Sequence, residues 1–296
     1  IAQSMKLPNG GNAQLDVGNN QEYILPFIGE LRSLLNDNQA ELEKIIRETI
    51  WRYQKKRPII AVNWKMNMTI AEGRKFLEEL QDIPDVPLVI FPTFTTLAGL
   101  AEEFTKRNIL TGAQNFHDQQ RGAFTGEISI PMLRELGCTY LMAGHSERRI
   151  YNYESDEEIN RKVLAAAKAS MKIMLCIGES QKERQEGMWR DTLGNQLQKD
   201  LAGLPCEAVA NIHIAYEPVW AIGTGVSATT EEIHETHVYL KGMIREILGV
   251  EIPILYGGSV NDKNAAAIGA IPSVDGFLIG SAGIHAEKLN RIQECV

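Results

Sequence analysis

The sequence predicts an α/β protein folded as a (β/α)₈ barrel with an N-terminal helical extension. Three observations carry that prediction: eight short apolar runs follow residue 57, amphipathic helical segments alternate with them, and polar or glycine-containing segments stand directly after the runs. Apolar strands alternating with helices imply a parallel sheet covered on its faces, and eight units are the number that closes into a barrel. An open doubly wound sheet shares the alternation. Its dinucleotide-binding version lacks the usual support, because no Gly-x-Gly-x-x-Gly follows the first run.

Taken in order, residues 1–20 are rich in Gly, Asn and Gln, with too few apolar side chains to offset the entropy of ordering them. Ile24, Phe27, Ile28, Leu31, Leu34 and Leu35 then recur at helical spacing, with Pro26 suited to a first turn. Asn36-Asp37-Asn38 reads as a break and N-cap. Glu41 completes a capping box ahead of Leu42, Ile45, Ile46, Ile50 and Tyr53. These features predict two helices in an extension covering residues 1–56, ahead of a barrel domain over residues 57–296.

The eight strand candidates are 59–63, 88–91, 109–113, 140–143, 172–177, 212–216, 254–256 and 274–279. Helical patterns lie between them, including 71–80, 156–169, 182–201, 230–248 and 261–268.

A chain of 296 residues, 44% of them hydrophobic, can bury a large core. Its net charge of -8 argues against nucleic acid and anionic membrane surfaces, both of which reward clustered Lys and Arg. The four cysteines form no Cys-x-x-Cys pair, which predicts a reducing compartment. No apolar run reaches the ~20 residues of a membrane span, and the first thirty residues lack a basic start followed by an apolar stretch. A cytoplasmic protein is expected.

In a closed barrel, functional groups collect where strands end. The first strand runs into Asn63-Trp64-Lys65, the fourth into Gly144-His145-Ser146-Glu147, and the sixth into Glu217-Pro218-Val219-Trp220. Glycine-containing loops follow the last two strands, at Gly257-Gly258-Ser259 and Gly280-Ser281. Such loops present backbone N–H groups to an anion and predict a small phosphorylated ligand. Beside them, a carboxylate, an imidazole and an ammonium suffice to remove a proton next to a carbonyl and stabilise the enediolate. No metal or redox motif is visible, so no cofactor is expected and isomerisation fits the equipment best.

Six segments carry a resemblance: 63–66 (Asn-Trp-Lys-Met), 122–127 (Gly-Ala-Phe-Thr-Gly-Glu), 144–149 (Gly-His-Ser-Glu-Arg-Arg), 176–179 (Cys-Ile-Gly-Glu), 215–225 (Ala-Tyr-Glu-Pro-Val-Trp-Ala-Ile-Gly-Thr-Gly) and 256–259 (Tyr-Gly-Gly-Ser). In order and placement they resemble the triosephosphate isomerase family, over roughly residues 58–294. That family is a standard example of tuned acid–base chemistry and loop closure, so the roles below are what the resemblance implies. Glu217 is the base that moves the proton, neutral His145 polarises the carbonyl, and Lys65 holds the developing oxyanion. Asn63 touches substrate oxygens, Glu147 positions Lys65, and Ser146 holds Glu217 in its open position. Residues 218–225 form a lid hinged near Trp220 and latched by Tyr256 and Ser259. Backbone N–H groups of Gly223, Ser259, Gly280 and Ser281 bind the phosphate. Thr125 sits at the tip of a loop that reaches a partner subunit, which implies a homodimer or an assembly of dimers.

Other polar groups read as structural. Arg148 and Arg149 suit ion pairing, Cys176 a packed thiol, and Gln114 and Asn115 supporting or interface contacts. Ser281 replaces a glycine usual in the family, which strains the loop if that position needs positive φ. Ala143 replaces an Ile or Leu and is expected to widen the site behind His145. A four-carbon ketose phosphate is therefore an alternative substrate, and a non-catalytic barrel an alternative of another class.

Overall fold

The structure, a computed structural model, describes residues 3–6, 12–15, 58–83, 86–222 and 227–295. The chain divides into two compact units, Ile1–Lys56 and Arg57–Val296. In the first, strand β1 (Gln3–Lys6) pairs antiparallel with β2 (Asn12–Leu15), Gln3 opposite Leu15 and Lys6 opposite Asn12. Composition gave no sign of strands there. The signal lay in the intervening Pro8-Asn9-Gly10-Gly11, whose residue types favour hairpin turns. The two helices predicted between residues 24 and 54 lie outside the described residues.

The second unit is a closed barrel of eight parallel strands: β3 (Ile59–Asn63), β4 (Leu88–Phe91), β5 (Leu110–Ala113), β6 (Tyr140–Ala143), β7 (Lys172–Ile177), β8 (Ile212–Tyr216), β9 (Ile254–Tyr256) and β10 (Gly276–Ile279). β10 closes on β3 with Gly276 opposite Ile59 and Ile279 opposite Val62, which rules out the open sheet. β5 and β10 start later than the apolar runs suggest. The N–H groups of Ile109 and Val274 bond back to Phe104 and Ile271, so both residues belong to the preceding turns.

Side chains alternate along each strand and sort into two apolar layers. Ile60, Val62, Leu141, Ala143, Leu175, Ile214 and Tyr216 pack with the helices. Ala61, Val89, Met142, Met174, Cys176, Ala215, Leu255 and Leu278 form a separate cluster that fills the barrel interior. Both layers are apolar, so the strands read as continuous runs instead of alternating ones.

Helix ends follow local sequence. Thr69 with Glu72, Ser155 with Glu158 and Thr229 with Glu232 make capping boxes at the starts of Ile70–Glu79, Asp156–Lys168 and Thr230–Leu248. Each cap contributes about 1 kcal/mol. The single helix expected over 182–201 is two, Gln181–Gln185 and Trp189–Asp200, separated where Gly187 adopts φ +76°. The last expected helix is shorter, Ala265–Gly269. Further helices cover Phe94–Lys106, Ile130–Glu135, Ser146–Tyr151 and Ala286–Glu294.

Candidate active site

The inward set of strand positions continues past the strand ends into polar residues. Asn63 follows Ala61 by two, and Glu217 follows Ala215 by two. Gly257 and Gly280 follow Leu255 and Leu278 in the same way. Strand periodicity therefore places these groups on one rim, where they line a cavity of about 580 Å³ with Lys65, His145, Ser259 and Ser281.

His145 reaches the rim by a turn. Gly144 holds φ +73°, a conformation that disfavours side chains, and a Cβ there would also stand 2.8 Å from the Cys176 carbonyl. The chain then enters the helix Ser146–Tyr151 with His145 as its N-cap. Nδ1 of His145 accepts the Glu147 N–H at 3.2 Å, so the proton of the neutral ring resides on Nε2. Nε2 stands 3.0 Å from Glu217 Oε1, and Glu217 Oε2 accepts the Ser146 N–H at 2.9 Å.

Lys65 occupies the left-handed region at φ +52°, which costs a non-glycine residue about 1 kcal/mol or more. Two hydrogen bonds to its backbone offset this. Its N–H donates to Asn63 Oδ1 at 2.9 Å, and Gln114 Nε2 donates to both its carbonyl and that of Phe91, at 2.8 and 2.9 Å. Lys65 Nζ then pairs with Glu147 Oε1 at 2.6 Å. A Cβ built on Gly280 would stand 4.0 Å from that ammonium, so Lys65 and the glycine loop border the same space.

Burial alone would push the Glu217 carboxyl up. The adjacent His145, the Ser146 N–H and Lys65 together outweigh it and hold the group below the usual carboxylate range. Burial likewise disfavours the His145 imidazolium, but the Glu217 charge and hydrogen bond, helped by Glu147, leave the ring above its ordinary value despite opposition from Lys65. Cys176 lies fully buried in the barrel interior, and burial raises its thiol far above the reactive range.

A 3₁₀ turn, Val219–Ala221, follows Glu217 and Pro218. Trp220 Nε1 and the Tyr216 hydroxyl both donate to Glu179 Oε1, at 2.9 and 3.0 Å. The family resemblance implies no role for Glu179; the one sequence signal for it is a carboxylate two residues past a strand end. Ser259 Oγ donates to the Ala221 carbonyl at 2.6 Å. Tyr256 is fully buried, and burial raises its hydroxyl to about 12. Gly223 lies outside the described residues. Asn67, His285 and Lys288 also line the cavity and were not anticipated.

Two expectations are corrected. Among the described residues, the non-glycine positions with positive φ are Lys65, Met68, Asn108, Tyr153 and Ser170, so Ser281 sits unstrained at the start of a short 3₁₀ helix. Ala143 faces the helix layer, while Met142 is the inward neighbour, with its sulfur 3.7 Å from Asn63 Nδ2. The smaller residue therefore does not widen the site, and the argument for a four-carbon substrate falls.

Arg148 and Arg149 are structural. Arg148 pairs with Glu154, and Arg149 pairs with Asp156 and Asp200 while donating to the Gly144 carbonyl at 2.8 Å, which braces the turn carrying His145. Asn115 Oδ1 accepts from Lys162 Nζ at 2.7 Å. Thr125 lies within residues 121–127, which are exposed throughout. No helix among the described residues is long and apolar enough to cross a membrane.

The triosephosphate isomerase family profile matches residues 58–296. A protein named triosephosphate isomerase from Synechococcus sp. (strain JA-2-3B'a(2-13)) is 43% identical over 247 residues, covering 80% of this chain and 96% of the relative. One of the same name from Caldanaerobacter subterraneus subsp. tengcongensis is 43% identical over 246 residues, covering 80% and 98%. Another from Syntrophotalea carbinolica is 41% identical over 245 residues, covering 80% and 97%. Barrel, rim residues and relatives agree, and the chain belongs to the triosephosphate isomerase family.

Proposed function

We propose that this chain interconverts dihydroxyacetone phosphate and glyceraldehyde 3-phosphate through an enediolate, a step of glycolysis and gluconeogenesis. The observation that carries the reading is the pairing of a buried carboxylate with a tautomerically fixed imidazole, Glu217 Oε1 to His145 Nε2 at 3.0 Å, on the rim that also holds Lys65.

In this reading Glu217 takes the proton from the carbon beside the carbonyl and returns it to the neighbouring carbon. His145, neutral with its proton on Nε2, donates to the carbonyl oxygen and moves protons between the two oxygens. Departure of Glu217 toward substrate removes the contact that raises the ring's proton affinity, so the ring works as a neutral acid. The Lys65 ammonium stabilises the oxyanion, Glu147 aims it, and Asn63 adds a polar contact. Backbone N–H groups of Gly223, Ser259, Gly280 and Ser281 take the phosphate. Ser146 holds Glu217 withdrawn until substrate enters. Closure of residues 218–225, hinged at Trp220 and latched by Tyr256 and Ser259, excludes water and protects the enediolate from losing phosphate.

We assign catalysis to residues 57–296 and regard residues 1–56 as an appended segment. The exposed loop carrying Thr125 is assigned to contact with a second copy in a homodimer or an assembly of dimers, and the compartment to the cytoplasm. A coupled assay tests the reading: turnover of dihydroxyacetone phosphate with kcat/KM far above that for any erythrulose phosphate supports it, and the reverse order or no turnover overturns it.

A further inference from the structure

Asp200 ends the helix Trp189–Asp200 and has no exposure to solvent. A buried carboxylate loses its hydration, and an apolar side chain of similar size commonly serves stability as well or better. Here Oδ1 has no hydrogen-bond partner among the described residues, while Oδ2 stands 2.6 Å from Arg149 Nη2. Asn160 fixes the backbone at this point, donating to the Asp200 and Ala202 carbonyls at 3.1 and 2.9 Å. The carboxylate is thus aimed at Arg149 from a fixed helix end.

The guanidinium is planar, so holding two of its nitrogens holds the third. Asp156 takes Nη1 at 2.6 Å and Asp200 takes Nη2. Nε then donates to the Gly144 carbonyl at 2.8 Å, and Nη2 also donates to the Cys176 carbonyl at 3.2 Å, which ties the ends of β6 and β7 together. A Cβ on Gly144 would stand 2.9 Å from Nη2, so the glycine also admits the guanidinium. The next residue is His145, whose Nδ1 accepts the Glu147 N–H and whose Nε2 meets Glu217 Oε1. One ion pair, one hydrogen bond and one peptide unit therefore separate Asp200 from the residue that carries the imidazole.

We infer that Asp200 is a positioning residue for the isomerisation, setting the direction of the His145 ring through Arg149 and Gly144. The inference rests on His145 acting on the substrate carbonyl. Without Asp200 the guanidinium keeps Asp156 but is free to tilt, and the Gly144 turn loosens with it. Misplacing a reacting group by about 1 Å costs on the order of 10²-fold in rate, so a smaller tilt registers in kcat. The loops assigned to phosphate follow β9 and β10 and lie outside this path. Phosphate affinity should therefore not follow kcat.

The test is steady-state kinetics on the full-length protein with dihydroxyacetone phosphate, and with inorganic phosphate as the competing ligand. Asp200→Leu fills the space without an acceptor, and Asp200→Ala carries the same test should that variant not fold. Either is expected to lower kcat about threefold or more, short of the roughly 10²-fold of a 1 Å misplacement, while the inhibition constant of phosphate stays at the parent value. Asp200→Asn keeps an acceptor oxygen for Arg149 and should recover most of the loss. Placed on an Arg149→Lys or a His145→Gln background, the Asp200 substitution should lower kcat no further, because the path it acts through is already broken. An unchanged kcat in the single variant overturns the inference. So does the full loss repeated on either background, or a loss matched by equal weakening of phosphate, which is what a merely structural role gives. Failure of the underlying reading shows separately, because His145→Gln alone would then keep the parent's kcat.

Discussion

His145 Nε2 and Glu217 Oε1 stand 3.0 Å apart in a site where both side chains are buried. The contact lowers the carboxyl's proton affinity and raises the ring's. A depressed carboxyl contributes stability above its unfolded pKa of about 4.3 and loses it as pH falls through the folded value. A raised imidazole contributes stability below its unfolded pKa of about 6.5 and loses it as pH rises through the folded value. Both contributions coincide between about pH 4.5 and 6.5. The melting-temperature gap between the parent and His145→Gln should therefore be widest there and narrow on either side. Thermal unfolding across the pH range checks this, and a gap independent of pH contradicts the pairing.

The Lys65–Glu147 pair gives a graded prediction. Lys65→Met removes the oxyanion's cation and should lower kcat/KM by about 10²-fold or more. Glu147→Gln keeps the ammonium but loosens its aim, so a smaller loss is expected. Steady-state kinetics on both variants decides; a larger loss in Glu147→Gln would assign Glu147 a role that does not run through Lys65.

Ser259 Oγ donates to the Ala221 carbonyl at 2.6 Å, within the segment proposed to close over substrate. Ser259→Ala deletes the hydroxyl proposed to latch the closed segment, and one hydrogen bond of about 0.5–1.5 kcal/mol corresponds to a few-fold to tenfold in the closing equilibrium. KM should rise and the share of phosphate-elimination product should increase. Product analysis checks the second part, and an unchanged ratio of isomer to elimination product contradicts closure as the protective step.

Ala143 tests the orientation of β6. Because its side chain faces the helix layer, Ala143→Val should change melting temperature through altered packing, in the range of about 1–3 kcal/mol if the layer cannot relax. The ratio of kcat/KM for three- and four-carbon substrates should not move. A change in that ratio would mean that the side chain reaches the site.

The alternation of strands and helices was legible in the sequence because each strand is a short apolar run between amphipathic segments. Which face of a strand points inward was not, since Met142 and Ala143 are both apolar and both buried. That ambiguity produced the misreading of Ala143. The rim residues were legible because Asn63 and Glu217 break the apolar runs at inward positions. Contacts made by unremarkable residues were hidden: nothing in the spacing of Gln114 shows that it bridges the carbonyls of Lys65 and Phe91, or that Glu179 receives both Tyr216 and Trp220. The strain suspected at Ser281 depended on a backbone angle that residue type alone does not give.

Every proposed step depends on Glu217 as the proton-transferring base, and Glu217→Gln tests that assignment most directly. The amide keeps the size of the side chain and one acceptor oxygen but cannot take up a carbon-bound proton. With a circular dichroism spectrum like the parent's, the variant should lose about 10²–10⁴-fold in kcat on dihydroxyacetone phosphate. Turnover within about tenfold of the parent would fall short of any general-base contribution and contradict the assignment.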